Sequence, residues 1–208
     1  MTNNYIITIA RTFGSNGKEI ALKLSEELGI PCYDNQIPEM ASLESGINEE
    51  LFFNMNHKLK YGYTINWLKT SPTNYIAEPY EKRFASNQNL FNIQSQIIKE
   101  LAKNESCIIL GKCADYVLEK NKNVVRIFID SPENYCVDSV TKKMNVTYEK
   151  ATQLVKKTNK YRSDYYKFYT NGRAWLSTHN YDLMINVERV GKDLAVKTIK
   201  EYVANKFS

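Results

Sequence analysis

The chain has 208 residues, 43% of them hydrophobic and 25% charged, with a formal charge of +5. That length suits one well-buried α/β domain, with room for a small lid or insertion, and is short for two full domains; the composition excludes general disorder. A mild basic excess fits an anionic small-molecule ligand as well as it fits nucleic acid.

The first apolar segment, Ile6 to Ala10, has strand character and runs through a Gly-containing turn into a helix spaced by Ile20, Leu24 and Leu28, with Gly29 as its stop. A brief strand, Pro31-Cys32-Tyr33, precedes Asp34. Residues 39–90 read as a helical insertion with loops beside the sheet's C-terminal edge, rich in Asn, Tyr and Lys and broken at Pro72 and Pro79. Helical spacing returns at Phe91, Ile97, Ile98 and Leu101, followed by strands at Cys107 to Leu110 and Val124 to Ile129. Residues 141–180 form a polar, lid-like region in which Lys142, Lys143, Lys156, Lys157, Lys160, Arg162, Lys167 and Arg173 alternate with Tyr161, Tyr165, Tyr166, Phe168 and Tyr169. A fifth strand, Tyr181 to Val187, leads into a helix carrying Leu194, Val196, Ile199 and Val203.

Strands alternating with helices predict an α/β fold, a three-layer α/β/α sandwich around a five-stranded parallel sheet, in one domain over residues 1–208. Such sheets bind ligands beyond the carboxyl ends of their strands. That directs attention to Arg11 to Lys18, Asp34, Gly111 to Asp115, Asp130 and Asn186 to Gly191.

The turn Gly14-Ser15-Asn16-Gly17-Lys18-Glu19 has the layout of a phosphate cradle: loop N–H groups and a helix N-terminus converge, and Lys18 adds a full charge. Against a Walker A loop, Gly17 and Lys18 match, whereas Thr12 replaces the first glycine and Glu19 the metal-binding hydroxyl. An ordinary βα turn with a solvated lysine is the competing explanation, and the strand-turn-helix context favours phosphate. Glu19 has three open roles: holding Mg²⁺, acting through water, or stabilising the helix N-terminus. Ser15 is the alternative metal donor, with Asp34, Asp115 and Asp130 further candidates.

On the lid-like segment, Lys160 and Arg162 can neutralise a transferring phosphoryl group or simply form a solvated basic face. The neighbouring rings divide between core packing, base stacking and a homodimer interface. Arg83 can reach an acceptor phosphate or form a surface ion pair. His57 and His179 have no ligand-spaced partner, which argues against a zinc site. Cys32, Cys107, Cys113 and Cys136 lack a C-x-x-C pair and read as reduced cysteines, consistent with a cytoplasmic protein. With no signal segment and no apolar stretch of the about 18 residues needed to span a bilayer, no membrane association is expected.

Four blocks in order resemble the cytidylate kinase-like proteins, a bacterial branch of the P-loop nucleoside monophosphate kinases: Ile6-Ile7-Thr8-Ile9-Ala10-Arg11 with Phe13-Gly14-Ser15 and Gly17-Lys18-Glu19-Ile20-Ala21; Gly29-Ile30-Pro31 with Tyr33-Asp34; Cys107 to Tyr116; and Lys160, Arg162, Tyr165, Tyr166 and Tyr169-Thr170 with Tyr181 to Asn186. The resemblance implies a P-loop kinase fold with a lid, ATP as co-substrate and Mg²⁺ as cofactor. It implies that Gly14 to Lys18 hold the triphosphate, that Asp34, Gly111, Lys112 and Asp115 face the acceptor, and that Lys160 and Arg162 close over the phosphates. Asn186 to Gly191 would lie near the base. The family commonly has arginine at Lys112, an acid at Asn159 and often arginine at Lys18; the absent Ser/Thr at position 19 is shared with this branch and separates it from authentic cytidylate kinases.

Two functions follow as expectations: an ATP-dependent small-molecule kinase acting on a nucleoside monophosphate or related acceptor, or a non-catalytic nucleotide sensor with a degenerate loop. Nucleic acid is not the expected partner, because a lid accounts for the same basic and aromatic residues.

Overall fold

Alternation along β1 (Ile6–Arg11) sets the layers: Ile7 and Ile9 project into one buried cluster, while Ile6 and Ala10 project into the other. The computed structural model describes residues 4–58 and 76–208. Pro72 and the middle of the 39–90 insertion lie outside the described residues, as does the side chain of His57.

β1 sits at the centre of a five-stranded sheet of order β2-β3-β1-β4-β5, every pairing parallel. Its partners are β2 (Cys32–Tyr33), β3 (Cys107–Leu110), β4 (Val124–Asp130) and β5 (Leu183–Asn186). The near-continuous apolar spelling of β3 and β4 suits strands covered on both faces. α1 (Gly17–Leu28) and α8 (Val187–Lys206) cover one face. The other carries α2 (Gln36–Ser45), α3 (Glu49–Lys58), α4 (Asn87–Asn104), α5 (Ala114–Val117) and the C-terminal part of α7 (Tyr148–Tyr169). The expected three-layer sandwich is the observed fold.

α6 (Glu133–Met144) pairs with α7 as a helical hairpin around Cys136, Val137, Val140, Ala151 and Val155, with Phe13 of the first loop packed on that cluster. Thr147 caps α7 by accepting from Lys150 N, and Asn186 caps α8 by accepting from Arg189 N. Within α8, Gly191 (φ 74°) interrupts the helical backbone immediately before Lys192.

Two sequence expectations change. Tyr165, Tyr166 and Tyr169 are buried, Tyr169 stacking on Phe91 with ring centroids 4.1 Å apart, so these rings are core rather than base-stacking or interface groups. Leu194, grouped with the apolar stripe of the last helix, is half-exposed, while Val196, Ile199 and Val203 face the sheet. The four cysteines are free, three of them buried.

Phe128 is fully buried in mid-β4 and meets Trp175 and Tyr181 at 5.1 Å and 5.0 Å. Phe128→Ala removes the ring shared by those contacts and is expected to cost about 3–5 kcal/mol, read as a lowered urea midpoint with the slope unchanged.

Candidate functional site

β1 ends at the sheet's carboxyl edge, where the chain turns through Thr12–Asn16 into α1. The turn takes left-handed backbone at Gly14 (φ 91°) and at Asn16 (φ 66°). A Cβ on Gly14 would stand 2.4 Å from the carbonyl oxygen of Cys136, so glycine here lets α6 lie directly against the loop. Gly17 serves the same end on the inner side, where a Cβ would meet that of Arg11 at 2.6 Å.

Other loop groups are held by distant side chains. Phe13 N donates to Asn159 Oδ1 at 2.7 Å, and Arg162 Nη1 donates to the Arg11 carbonyl at 2.8 Å. Thr12 donates its hydroxyl hydrogen to Asp130 Oδ1 at 2.9 Å. Asn16 donates from Nδ2 to Tyr135 Oη, and its Oδ1 accepts from Ser139 and Lys143. The helical hairpin thus lies on the loop along several contacts.

Asp34, just beyond β2, is the electrostatic centre. Its Oδ1 lies 3.3 Å from Arg11 Nη2 and its Oδ2 lies 3.1 Å from Lys18 Nζ. Lys112 adds a third cation: burial pushes its ammonium down to about 8, partly opposed by the attraction of Asp34. Arg162 is a fourth, lowered by burial and by repulsion from Arg11; a guanidinium stays protonated throughout the physiological range. Lys112 reaches this place through consecutive left-handed residues, Gly111 (φ 71°), Lys112 (φ 55°) and Cys113 (φ 53°). That conformation costs about 1–2 kcal/mol at each non-glycine residue. The result is a cation-rich cluster beside a glycine turn and a helix N-terminus, suited to anionic oxygens.

Not every expected residue joins it. Lys160 is 75% exposed and pairs with Asp164 one turn along α7, 3.0 Å away. Arg83 is half-exposed and pairs with Glu81 at 3.0 Å. Asp115 is buried and accepts from Tyr166 Oη at 2.6 Å, and burial raises its carboxyl pKa. It lines a separate cavity of about 220 Å³ with Tyr116, Arg126, Arg173 and Tyr181.

Both expected metal donors make contacts within the protein. The Ser15 hydroxyl is fully buried and bonds to the carbonyls of Thr12 and Ile129. Glu19 Oε1 is held by Lys143 and Oε2 by Lys192 at 2.9 Å. Among the described residues, no group of three or more His, Cys, Asp and Glu side chains is placed to hold a metal.

Sequence reasoning did not give Arg11, Lys143 or Lys192 a role. Arg11 had a signal, being a charged residue that closes a buried strand at the ligand-binding edge. Lys143 and Lys192 had none, because only the packing of α6 and α8 beside α1 brings them to Glu19.

The cytidylate kinase-like family model matches residues 6–189. An uncharacterized protein from Eubacterium ventriosum ATCC 27560 is 25% identical, with 97% of this chain and 99% of that chain covered and a TM-score of 0.71. Shikimate kinase from Bacteroides thetaiotaomicron aligns at 10% identity, over 96% of this chain and 98% of that one, with a TM-score of 0.50. Shikimate kinase from Acinetobacter baumannii in complex with shikimate aligns at 14%, over 100% and 97%, with a TM-score of 0.51. The two shikimate kinases show a shared fold. Comparison with curated proteins returns no match. Among the described residues, no helix is long and apolar enough to cross a membrane.

The lowered proton affinity of Lys112 predicts a pH dependence with a definite sign. A folded value of about 8 against an ordinary 10.5 means the folded state carries the full penalty of this buried charge below pH 8 and is relieved of it as pH rises toward 10.5. A bound anion stabilises the charged form, so inorganic phosphate should bind more weakly as pH rises through about 8. In Lys112→Met that decline should flatten in a calorimetric titration; an identical decline would place the titrating group elsewhere.

Proposed function

The chain belongs to the cytidylate kinase-like family, and we propose on that premise that it transfers the γ-phosphoryl group of ATP to a nucleoside monophosphate or a related small acceptor. The observation that carries this reading is the gathering of Arg11, Lys18, Lys112 and Arg162 around Asp34, beside the glycine turn at the carboxyl edge of the sheet.

Phosphoryl transfer needs alignment and charge neutralisation more than covalent chemistry. In this mechanism the N–H groups of Gly14 to Lys18 and the Lys18 ammonium hold the β- and γ-phosphates. Arg162, fixed to the loop through the Arg11 carbonyl, faces the charge that develops on the transferring group. Asp34 positions the acceptor, releasing Arg11 to it and Lys18 to the triphosphate, while Lys112 and Gly111 contact an acceptor anion. Lys112 supplies charge without the paired N–H geometry of arginine. A bound Mg²⁺ would supply neutralisation of phosphate charge, with Ser15, or Glu19 once freed of its lysines, as the loop side chains that would hold it. Lys160, Arg83 and Asp115 have no part in the chemistry as drawn.

A non-catalytic nucleotide sensor is the second reading, favoured by the engagement of Glu19 with two lysines where a Walker loop carries a metal-binding hydroxyl. Production of ADP from ATP, followed across nucleoside monophosphates and small alcohols, separates the two. Lys18→Ala should lower turnover on the best acceptor by about a hundredfold or more, with the circular dichroism spectrum unchanged. Wild-type turnover in that variant would remove Lys18 from the mechanism, and ATP binding with no ADP from any acceptor would favour the sensor.

A further inference from the structure

The loop's first helical turn carries a carboxylate whose two oxygens are both engaged by lysines from other helices. Lys143, in the last turn of α6, contacts Glu19 Oε1 and Asn16 Oδ1 together, so its ammonium spans the end of the phosphate loop and the start of α1. Lys192, placed just after the Gly191 break in α8, contacts Glu19 Oε2 at 2.9 Å. The three side chains are each about half-exposed, with 46%, 51% and 42% accessibility for Lys143, Lys192 and Glu19.

We infer that Glu19 is the resting counter-ion of two lysine arms, Lys143 and Lys192, and that these arms pass to the phosphates of an incoming polyphosphate, making its binding independent of a divalent cation. The inference rests on the polyphosphate reading of the cradle and adds two binding residues to it.

Three physical points support the exchange. Both arms end at the rim of the loop, since Lys143 already touches Asn16, and each has a flexible four-carbon stem that needs only a rotamer change to follow a new anion. Half-exposed ion pairs are weak, so leaving Glu19 costs little, and the released carboxylate stays in contact with water. A divalent ion seeking Glu19 must instead displace two ammonium groups, whose hydrogen bonds already hold that carboxyl below its ordinary range. The surrounding charge agrees: Arg11, Lys18, Lys112, Arg162, Lys143 and Lys192 face Glu19 and Asp34, a cationic surplus that an unchelated polyphosphate satisfies more fully than a chelated one.

Calorimetric titration of the full chain with ATP, once with Mg²⁺ and once with EDTA, tests this directly. The two dissociation constants should agree within about threefold, equivalent to well under 1.4 kcal/mol. In EDTA, Lys143→Ala and Lys192→Ala should each weaken binding by about tenfold, the value of one charge-assisted contact, and Lys143→Arg should restore most of it. Glu19→Gln should bind ATP as tightly as the native chain or more tightly, having lost a competitor for the arms. Loss of binding in EDTA, joined to weaker Mg²⁺-supported binding by Glu19→Gln, would identify Glu19 as a metal ligand and overturn the inference while leaving the polyphosphate reading intact. Native affinity in both alanine variants would also overturn it. Failure to bind ATP in either buffer would remove the polyphosphate reading itself, and the inference with it.

Discussion

The main chain of the glycine turn after β1 is held from outside by α7: Asn159 accepts the Phe13 N–H and Arg162 donates to the Arg11 carbonyl. A glycine-containing turn left to itself has many conformations and unsatisfied polar groups. Here two side chains about 150 positions away in sequence close that choice. The same helix carries Tyr165, Tyr166 and Tyr169 in the core, so the loop is anchored to the best-packed part of the molecule. The position of Lys18, the approach of α6 to Gly14 and the crowding at Asp34 all depend on this anchoring.

The second organising fact is an electrostatic imbalance. Arg11, Lys18, Lys112 and Arg162 share one carboxylate, and the lowered proton affinity of Lys112 reflects chiefly its burial, with repulsion from Arg11 and Arg162 adding to it. The left-handed backbone at Lys112 and Cys113 points the same way, since such strain persists where surrounding structure enforces it.

Much of the fold was legible in the sequence because period and punctuation are local. The apolar run of β1, the Gly29 stop of α1 and the strands at Cys107–Leu110 and Val124–Asp130 stand close to where their patterns place them. The glycine turn and Asp34 were legible too, as residues at strand ends. Side-chain direction on a long helix was not. Lys160 and Arg162 are two positions apart on α7, yet one pairs with Asp164 in solvent and the other reaches the loop. Their spelling is equally basic, and only the packing of α7 against Phe13 separates them. The division of the tyrosines between core packing, base stacking and an interface was open for a related reason, because only the facing apolar helix, α4, settles which rings are core. Asn159 showed in the sequence as a missing acid; its task, accepting a hydrogen bond from the loop, requires the tertiary contact.

α7 is a continuous helix from Tyr148 to Tyr169, with its loop contacts at Asn159 and Arg162 and its core contacts beginning at Tyr165. One continuous rod is therefore seated in the aromatic core and touches the glycine turn. A hinge between the two would break intrahelical hydrogen bonds or strip Tyr165 from Phe91, so any opening must be absorbed nearer Thr147, at the tip of the α6–α7 hairpin. The side chains that fix the glycine turn and those that pack the core therefore stand on one uninterrupted helix, within three positions of each other at Arg162 and Tyr165.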